Sequence, residues 1–358
     1  MNEYIQSTIE QISTPDERAM AAARERQATL TKPAGSLGRL EELSVQIAGI
    51  TGVAQPMVSQ KVIVVMAGDH GVVAEGVSAY PAEVTPQMMA NMVYGGAAIN
   101  VLSEQAGVRI ALVDIGVAAE MIAHPKLINK KVAKGTMNMA HGPAMTEEQT
   151  LAAVSAGMEV VEAEIEKGLD ILATGEMGIG NTTPSAAIAA ILTGQPVDVI
   201  VGRGTGVDDQ GLERKQVAVQ TALKVNEPDP GDGFDILMKV GGFEIAGLTG
   251  AILAAAAHRK PVVIDGFIST AAAMLAVQMA PHVRHFLLAG HQSLERGHAL
   301  MMDWLGLEPL LNLKMRLGEG SGAVLAMYLV EAACRILSEM ATFEEAGVAG
   351  KAQPLLAA

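Results

Sequence analysis

The chain has 358 residues, of which 50% are hydrophobic, 18% charged and only 3% aromatic, and its formal net charge is -14. This length and apolar content suffice for one large globular domain or two smaller ones. The negative charge and the scarcity of aromatic side chains argue against nucleic-acid binding, which uses basic surfaces and stacking platforms, and favour a small-molecule partner.

The N terminus and the cysteine content bear on the cellular compartment. The first ten residues are polar and contain no basic segment followed by an apolar run, so they predict neither secretion nor import into an organelle. The single cysteine, Cys334, has apolar neighbours in the sequence, which fits a place in the core and a reducing compartment. We therefore expect a cytoplasmic protein that does not bind a membrane.

Short apolar runs predict five buried β-strands, at residues 62–67, 110–115, 171–175, 262–264 and 286–289. Residues 197–201 form a sixth, weaker candidate. Between these runs lie alanine-rich segments with helical periodicity, including a very apolar stretch at 246–257 that is too short to span a membrane. The alternation predicts an α/β fold with a doubly wound, mainly parallel, Rossmann-like sheet and helices on both faces.

The two ends of the chain show helical patterns without convincing strands. We therefore predict an α/β catalytic domain at residues 59–322, and a small helical lobe formed by residues 1–58 together with 323–358. Polar residues follow the predicted strands, among them Asp69, Asp114, Glu176, Asp265 and Ser293. Because ligands of open α/β sheets bind at the carboxyl ends of the strands, this pattern predicts an active cleft at that edge.

A glycine-rich segment at residues 175–184 follows a predicted strand and opens a predicted helix, an arrangement that favours a bound phosphate. Asn181 stands where a nucleotide-binding P-loop has its lysine, which disfavours ATP chemistry. Neither this segment nor residues 202–206 has the glycine spacing of a dinucleotide site, so a dehydrogenase is the second hypothesis. Glu176 is either a ligand contact or a carboxylate that caps a neighbouring helix.

A second glycine-rich segment, residues 316–323, places Glu319 among three glycines directly before a long apolar helix pattern. Glycines permit unusual backbone conformations, and a wall without side chains lets a flat substrate approach closely. Glu319 would be a general base there, with Ser321 as the N-cap of a helix that begins near Ala323. The alternative is an ordinary interhelical turn with an exposed glutamate.

Other polar residues have structural explanations on the sequence alone. Lys215 lies in a short charged helix, where a solvated surface is the usual explanation. An aspartate after a strand, such as Asp69, commonly caps the next turn. His282, His285 and His291 lack the cysteine or second carboxylate that would complete a zinc signature, so no metal site is predicted.

Five motifs taken together resemble those of one enzyme family, and they lie at residues 32–38, 67–71, 175–184, 265–268 and 316–322. The likeness extends over about residues 31–346, with the motifs in the same order. The family is that of the nicotinate-nucleotide:dimethylbenzimidazole phosphoribosyltransferases, which make the nucleotide loop of cobalamin. The resemblance implies transfer of phosphoribose from nicotinate mononucleotide to a benzimidazole, giving α-ribazole phosphate and nicotinate.

The resemblance also implies roles for individual residues. Glu319 would remove the benzimidazole N–H proton while the other ring nitrogen attacks C1 of the ribose, with inversion. Glu176 and Lys215 would be further catalytic residues beside the nucleotide, which reverses the surface interpretation of Lys215. Contacts to phosphate and nucleotide are implied for Gly178, Ile179, Gly180, Asn181, Gly204, Ser293 and Gly320, and a base pocket for Tyr80, Met88, Met177 and Leu317.

Several expectations follow from these roles. Burial should raise the pKa of Glu319 and a helix N terminus should lower it, and we expect burial to dominate. Met88 either lines the base pocket or packs in the core with Met89 and Met92. The resemblance implies a homodimer and no metal or organic cofactor. The remaining hypotheses are an NAD-dependent dehydrogenase and a non-catalytic nucleotide-binding module.

Overall fold

The computed structural model describes residues 1–349, and its chain forms two compact units. The larger unit comprises Met1–Ser13 and Gln60–Met327, and the smaller one comprises Thr14–Ser59 and the chain from Tyr328 onward. The predicted helical lobe extended to residue 358, so its last nine residues lie outside the described part of the chain.

The larger unit is built on one six-stranded sheet whose strands all run parallel, in the order β3-β2-β1-β4-β5-β6. This is a doubly wound arrangement, and it confirms the predicted fold class. The strands are Lys61–Gly68 (β1), Val108–Gly116 (β2), Leu127–Asn129 (β3), Ile171–Met177 (β4), Val262–Ile264 (β5) and Leu287–Ala289 (β6).

The five predicted strands are all present, but the sixth candidate was wrong. Residues 197–201 begin with the short helix Val197–Ile200, which directly follows Pro196. The sixth strand is β3, which pairs with Leu112 to Asp114 of β2 at the edge of the sheet. It has only three residues, which are exposed or half-buried, so it lacks the apolar run by which the other strands were predicted.

Helices surround the sheet in chain order. The α-helices of the larger unit are Glu3–Gln11 (α1), Val84–Val93 (α4), Ala98–Ala106 (α5), Glu147–Glu166 (α6), Thr182–Thr193 (α7), Val197–Ile200 (α8), Asp209–Asn226 (α9), Gly233–Val240 (α10), Phe243–Ala257 (α11), Phe267–Met279 (α12) and His298–Leu305 (α13). Two 3-10 helices lie at Gly71–Glu75 and Pro281–Phe286. The chain then enters α14, Ser321–Glu339, which continues into the smaller unit.

Helix α11 is the buried helix that the apolar stretch 246–257 predicted, because every residue from Phe243 to Ala256 is buried. It packs closely against α6 through glycines. A Cβ atom on Gly157 would collide with the backbone of Gly247, and one on Gly250 would collide with the backbone of Val154. Small residues at these positions let the two helix backbones approach each other.

The smaller unit is helical, with Glu17–Thr29 (α2), Arg39–Thr51 (α3) and the second part of α14. Its core contains Ala23, Val45, Ala48 and Leu337. Cys334 is buried, as predicted, and burial raises the pKa of its thiol to about 12. Helix α1, which the sequence placed in the lobe, instead belongs to the larger unit, where Tyr4 donates a 2.7 Å hydrogen bond to Glu162 of α6.

Helix α14 is the one helix of the described chain that is long and apolar enough to cross a membrane by length and composition. In the structure, 56% of its most apolar 18-residue window is buried inside the protein. Buried core helices commonly pass the same test, so this property is weak support for a membrane span.

Candidate active site

The largest polar cleft lies at the carboxyl ends of the strands, beside neighbouring strands β1 and β4, where the strand order reverses. This is the point of a doubly wound sheet at which ligands bind. The cavity measures about 670 Å³. Its lining includes Tyr80, Val84, Met88, Glu176, Met177, Gly178, Ile179, Asn181, Thr182, Gly204, Thr205, Asp265, Gly266, Phe267, Ile268, Ser269, His291, Ser293, Glu295, Arg316, Leu317, Gly318 and Glu319.

Glu319 is held in the wall of this cavity by a left-handed backbone turn. Its φ is +63°, and the flanking Gly318 and Gly320 have φ values of +86° and +89°. The turn lies directly against β4, because a Cβ atom on Gly175 would be 2.5 Å from the Glu319 carbonyl oxygen. The glycines therefore let two stretches of protein backbone meet, whereas the sequence suggested that they let a substrate approach.

Asp265, which follows β5, fixes the same turn from below. Its carboxylate accepts hydrogen bonds from the backbone N–H groups of Gly320 (3.2 Å), Gly322 (2.7 Å) and Ala323 (3.0 Å). Helix α14 begins at Ser321, and the Ser321 hydroxyl donates to the Gly318 carbonyl oxygen at 2.9 Å. The interpretation of Ser321 as the N-cap was therefore wrong, since Asp265 satisfies these N-terminal donors.

The carboxylate of Glu319 is buried, with 5% of the residue exposed, so the alternative of an exposed glutamate in a turn was wrong. One oxygen accepts a 3.2 Å hydrogen bond from the Ile99 backbone N–H. Burial raises the pKa of Glu319, and the charge of Asp265 adds to this effect, although the Ile99 hydrogen bond opposes it. The expectation that burial dominates is confirmed, and a raised pKa makes this carboxylate a stronger base once it is ionised.

The contact between Gly175 and the Glu319 turn gives a direct prediction. Gly175→Ala should force the turn away from β4, lowering kcat roughly 10- to 100-fold and the stability by about 1–3 kcal/mol. Gly142→Ala is the matched control, because a Cβ atom there would have no neighbour within 4 Å. Steady-state kinetics and thermal unfolding check both variants, and wild-type kinetics for Gly175→Ala would contradict the role of this contact.

Glu176, near the end of β4, is also buried. The side-chain amide of Asn181 donates a short hydrogen bond to one of its carboxylate oxygens. Burial raises the pKa of Glu176 to about 8, and the neighbouring carboxylates Glu244, Asp265 and Glu319 add to the rise. Glu176 therefore holds a proton at neutral pH, and its contact with Asn181 is within the loop that it precedes.

The glycine-rich loop after β4 uses several of its backbone donors internally. The N–H of Ile179 donates to the Thr85 hydroxyl at 3.1 Å, and those of Asn181 and Thr183 donate to the Gly178 and Gly180 carbonyl oxygens. These three donors are thus already engaged. The prediction that this loop binds a phosphate then depends on its remaining groups and on nearby cations.

One such cation is Lys215 of α9, which is 1% exposed, so the solvated-surface interpretation was wrong. Its ammonium group donates a 2.6 Å hydrogen bond to the Thr182 hydroxyl at the start of α7. Burial lowers the pKa of Lys215 to about 8, although the carboxylate of Glu295 opposes this effect. The cation therefore lies directly behind Thr182 and Gly204 of the cavity wall.

Most residues implied by the family resemblance do lie together. Those lining the cavity are Glu176, Glu319, Gly178, Ile179, Asn181, Gly204, Ser293, Tyr80, Met88, Met177 and Leu317. Lys215, Gly180 and Gly320 stand behind the lining, where Gly180 contacts Val73 and Gly320 contacts Ile63. Met88 faces the cavity while its neighbours Met89 and Met92 are buried in the core, which decides between the two interpretations of Met88.

Sequence reasoning missed a histidine network that supports Ser293. Nδ1 of His298, at the start of α13, accepts a 3.0 Å hydrogen bond from the Ser293 backbone N–H, and its Nε2 is 3.0 Å from the Thr270 hydroxyl. Burial lowers the pKa of His298 to about 3, so the ring is neutral and can accept through Nδ1. Nothing in the sequence near His298 signals this role, since its partners come from α12 and from the loop after β6.

Arg316 and Asp265 were quoted in motifs but given no function. The Arg316 guanidinium donates to the Gly204 carbonyl oxygen at 3.1 Å, and so connects two loops of the cavity wall. Within residues 1–349, no group of three or more His, Cys, Asp or Glu side chains is arranged to hold a metal ion.

Comparisons with known proteins agree on one family. Residues 12–348 match the model of a phosphoribosyltransferase family. Two similar relatives are nicotinate-nucleotide–dimethylbenzimidazole phosphoribosyltransferases, from Desulforudis audaxviator (57% identical; 97% of this chain and 98% of the relative) and Chloroflexus aurantiacus (55%; 98% and 99%).

A crystal structure of CobT from Thermus thermophilus is 49% identical, with a TM-score of 0.90 over 93% of this chain and 99% of that one. A second structure from the same organism, described as a nicotinate-nucleotide-dimethylbenzimidazole phosphoribosyltransferase, gives 47% identity and a TM-score of 0.89, over 94% of this chain and 100% of that one. The chain therefore belongs to the nicotinate-nucleotide–dimethylbenzimidazole phosphoribosyltransferase family.

Proposed function

We propose that this enzyme transfers phosphoribose from nicotinate mononucleotide to 5,6-dimethylbenzimidazole or a related base, in assembly of the cobalamin lower ligand. The products are α-ribazole 5'-phosphate and nicotinate. The single observation that carries the proposal is a buried carboxylate, Glu319, held by a left-handed turn in the wall of a cavity at the strand ends. The full-length relatives named for this reaction support it.

Glu319 is the general base of the proposed reaction. It takes the N–H proton of the benzimidazole while the other ring nitrogen forms a bond to C1 of the ribose. The bond from C1 to the nicotinate nitrogen breaks at the same time, and its electron pair neutralises the pyridinium. Because the leaving group departs as a neutral ring, no general acid is needed there, and attack from the opposite face converts the β linkage to α.

The nucleotide half of the substrate fits the other end of the cavity. Lys215 lies behind Thr182 and Gly204, and Arg316 contributes a second cation to the lining. Phosphate and carboxylate groups are bound most strongly by such charged donors. We place the 5'-phosphate near Thr182 and Gly204, and the ribose or nicotinate near Ser293.

The test is to mix the purified protein with nicotinate mononucleotide and 5,6-dimethylbenzimidazole, and to follow nicotinate and ribazole phosphate by chromatography. Equal formation of the two products is expected. If nicotinate mononucleotide binds but no nicotinate appears with any benzimidazole or purine, the non-catalytic binding module replaces this proposal. The dehydrogenase hypothesis has no support among the relatives, which are named as transferases.

Met88 and Tyr80 line the cavity and would contact the accepting base. We predict that Met88→Gln changes which nitrogen of an asymmetric benzimidazole is ribosylated, with the isomer ratio moving roughly 3- to 10-fold, because a contact of this size discriminates by about 1 kcal/mol. The exposed Met137→Gln is the control. Identical isomer ratios in wild type and Met88→Gln, measured by chromatography, would remove Met88 from base selection.

We further propose that the protein is a cytoplasmic homodimer that binds neither nucleic acid nor membrane. The resemblance to the family supports the dimer, and the net charge of -14 supports the absence of nucleic-acid binding. Sedimentation of the purified protein tests the dimer, and a monomer at micromolar concentration would reject it.

A further inference from the structure

A buried ion pair lies directly behind the cavity wall and is not used in the proposed reaction. His70 follows β1, Glu244 lies in the first turn of α11, and their Nε2 and Oε1 atoms are 2.7 Å apart. Both side chains are almost fully buried. Burial disfavours the imidazolium, but the charge of Glu244 outweighs it and raises the pKa of His70. The pair therefore consists of an imidazolium and a carboxylate.

The pair is in contact with the glycine-rich loop and with the end of β1. A Cβ atom on Gly178 would be 3.4 Å from the His70 Nε2 atom, and one on Gly68 would be 3.1 Å from the second carboxylate oxygen of Glu244. That second oxygen has no hydrogen-bond partner in the described structure. Its charge is thus offset by one imidazolium alone, and it acts on neighbours across the loop.

The neighbour it acts on is Glu176, which also meets acidic groups from other elements. Those groups are Glu244 on α11, Asp265 after β5 and Glu319 before α14. The cations nearby are His70 on Glu244, His291 near Asp265, and Lys215 on α9, which is bonded to Thr182. Asp69 after β1 accepts a hydrogen bond from the Ala118 backbone N–H. Four buried carboxylates so close together cannot all be ionised at neutral pH.

We propose that the His70–Glu244 ion pair keeps Glu176 in its neutral acid form, so that Glu176 donates a hydrogen bond to an oxygen atom of the bound nucleotide. The proposal rests on the proposed function, because it takes an anionic nucleotide as the ligand. His70 and Glu244 are positioning residues in this scheme, since they act through Glu176 and do not line the cavity.

The hydrogen bonds of Glu176 show which oxygen carries the proton. The Asn181 amide donates to Oε2, so Oε2 must accept. The proton is then on Oε1, the oxygen beside Gly318 in the cavity wall. An ionised Glu176 would instead present a negative charge to a ligand that already carries a phosphate and a carboxylate. Loss of this proton should therefore weaken nucleotide binding more than it slows the transfer step.

The test measures the Kd of nicotinate mononucleotide by titration calorimetry between pH 6 and pH 9, in wild type and Glu244→Gln. Removing the Glu244 charge should let Glu176 ionise at lower pH. The alkaline weakening of binding should then begin about one pH unit lower, so that near pH 8 the variant binds roughly tenfold more weakly. Binding at pH 6 should be equal in the two proteins, which excludes misfolding of the variant.

Glu176→Gln provides the rescue, because the glutamine amide can donate as the neutral acid does. The double variant Glu176→Gln/Glu244→Gln should bind like Glu176→Gln alone at every pH, and any pH dependence left reports Lys215. Overlapping wild-type and Glu244→Gln profiles, or a shift that persists in the double variant, would overturn the inference. If wild type fails to bind the nucleotide at any pH, the proposed function itself fails.

Discussion

Glu319→Gln is expected to lower kcat by about 10²- to 10⁴-fold, the range associated with loss of a general base. The amide keeps the size of the side chain and can still accept the Ile99 hydrogen bond, but it cannot take the benzimidazole proton. The KM for nicotinate mononucleotide should change little. Steady-state kinetics with both substrates measures these quantities.

Glu213→Gln is the control, because Glu213 is an exposed glutamate on α9. The pH dependence gives a second check on Glu319. Its pKa is raised, so the basic form is lost as the pH falls through that raised value, and wild-type kcat should fall on the acid side. A Glu319→Gln variant that keeps kcat within threefold of wild type would mean that another group takes the proton.

Asp265→Ala should destabilise the protein by about 2–4 kcal/mol, because it leaves the buried backbone N–H groups of Gly320, Gly322 and Ala323 without an acceptor. Displacement of the Glu319 turn should also lower kcat by about 10²-fold, since small errors in position are costly for catalysis. Denaturant unfolding and steady-state kinetics measure the two effects.

Asp265→Asn separates the two effects. Its side-chain oxygen can still accept from Gly322 and Ala323, but its amide presents a donor where Gly320 needs an acceptor. Stability should therefore recover in large part while kcat remains low. Full activity in Asp265→Asn would show that the turn keeps its shape without the second carboxylate oxygen, and that Asp265 has no part in placing Glu319.

The fold was largely predictable because its central strands are continuous apolar runs. Strands β1 and β4 are almost wholly buried, so hydrophobicity alone marks them. The edge strand β3 was missed because three half-exposed residues carry no such signal, and α8 was mistaken for a strand because Val197–Ile200 is apolar and short. The lobe boundary differed at α1, whose docking onto α6 depends on long-range contacts such as Tyr4 to Glu162.

The candidate site was predictable where a motif occupies a strand end, as with Glu176 and the Glu319 turn. The charged environment of Lys215 in the sequence suggested solvent, and only the packing of α9 behind Thr182 buries it. The partners of Asp265 are more than 50 residues away in the chain, as are those of His70. Such partnerships arise when separate strand ends meet at one edge of the sheet.

The most direct test of the account is the anomeric configuration of the ribazole phosphate formed from nicotinate mononucleotide and 5,6-dimethylbenzimidazole, determined by nuclear magnetic resonance. Direct displacement with Glu319 as the base predicts the α anomer alone, formed in step with nicotinate. A β product, or nicotinate released at the same rate without any benzimidazole, would contradict a single displacement at this site.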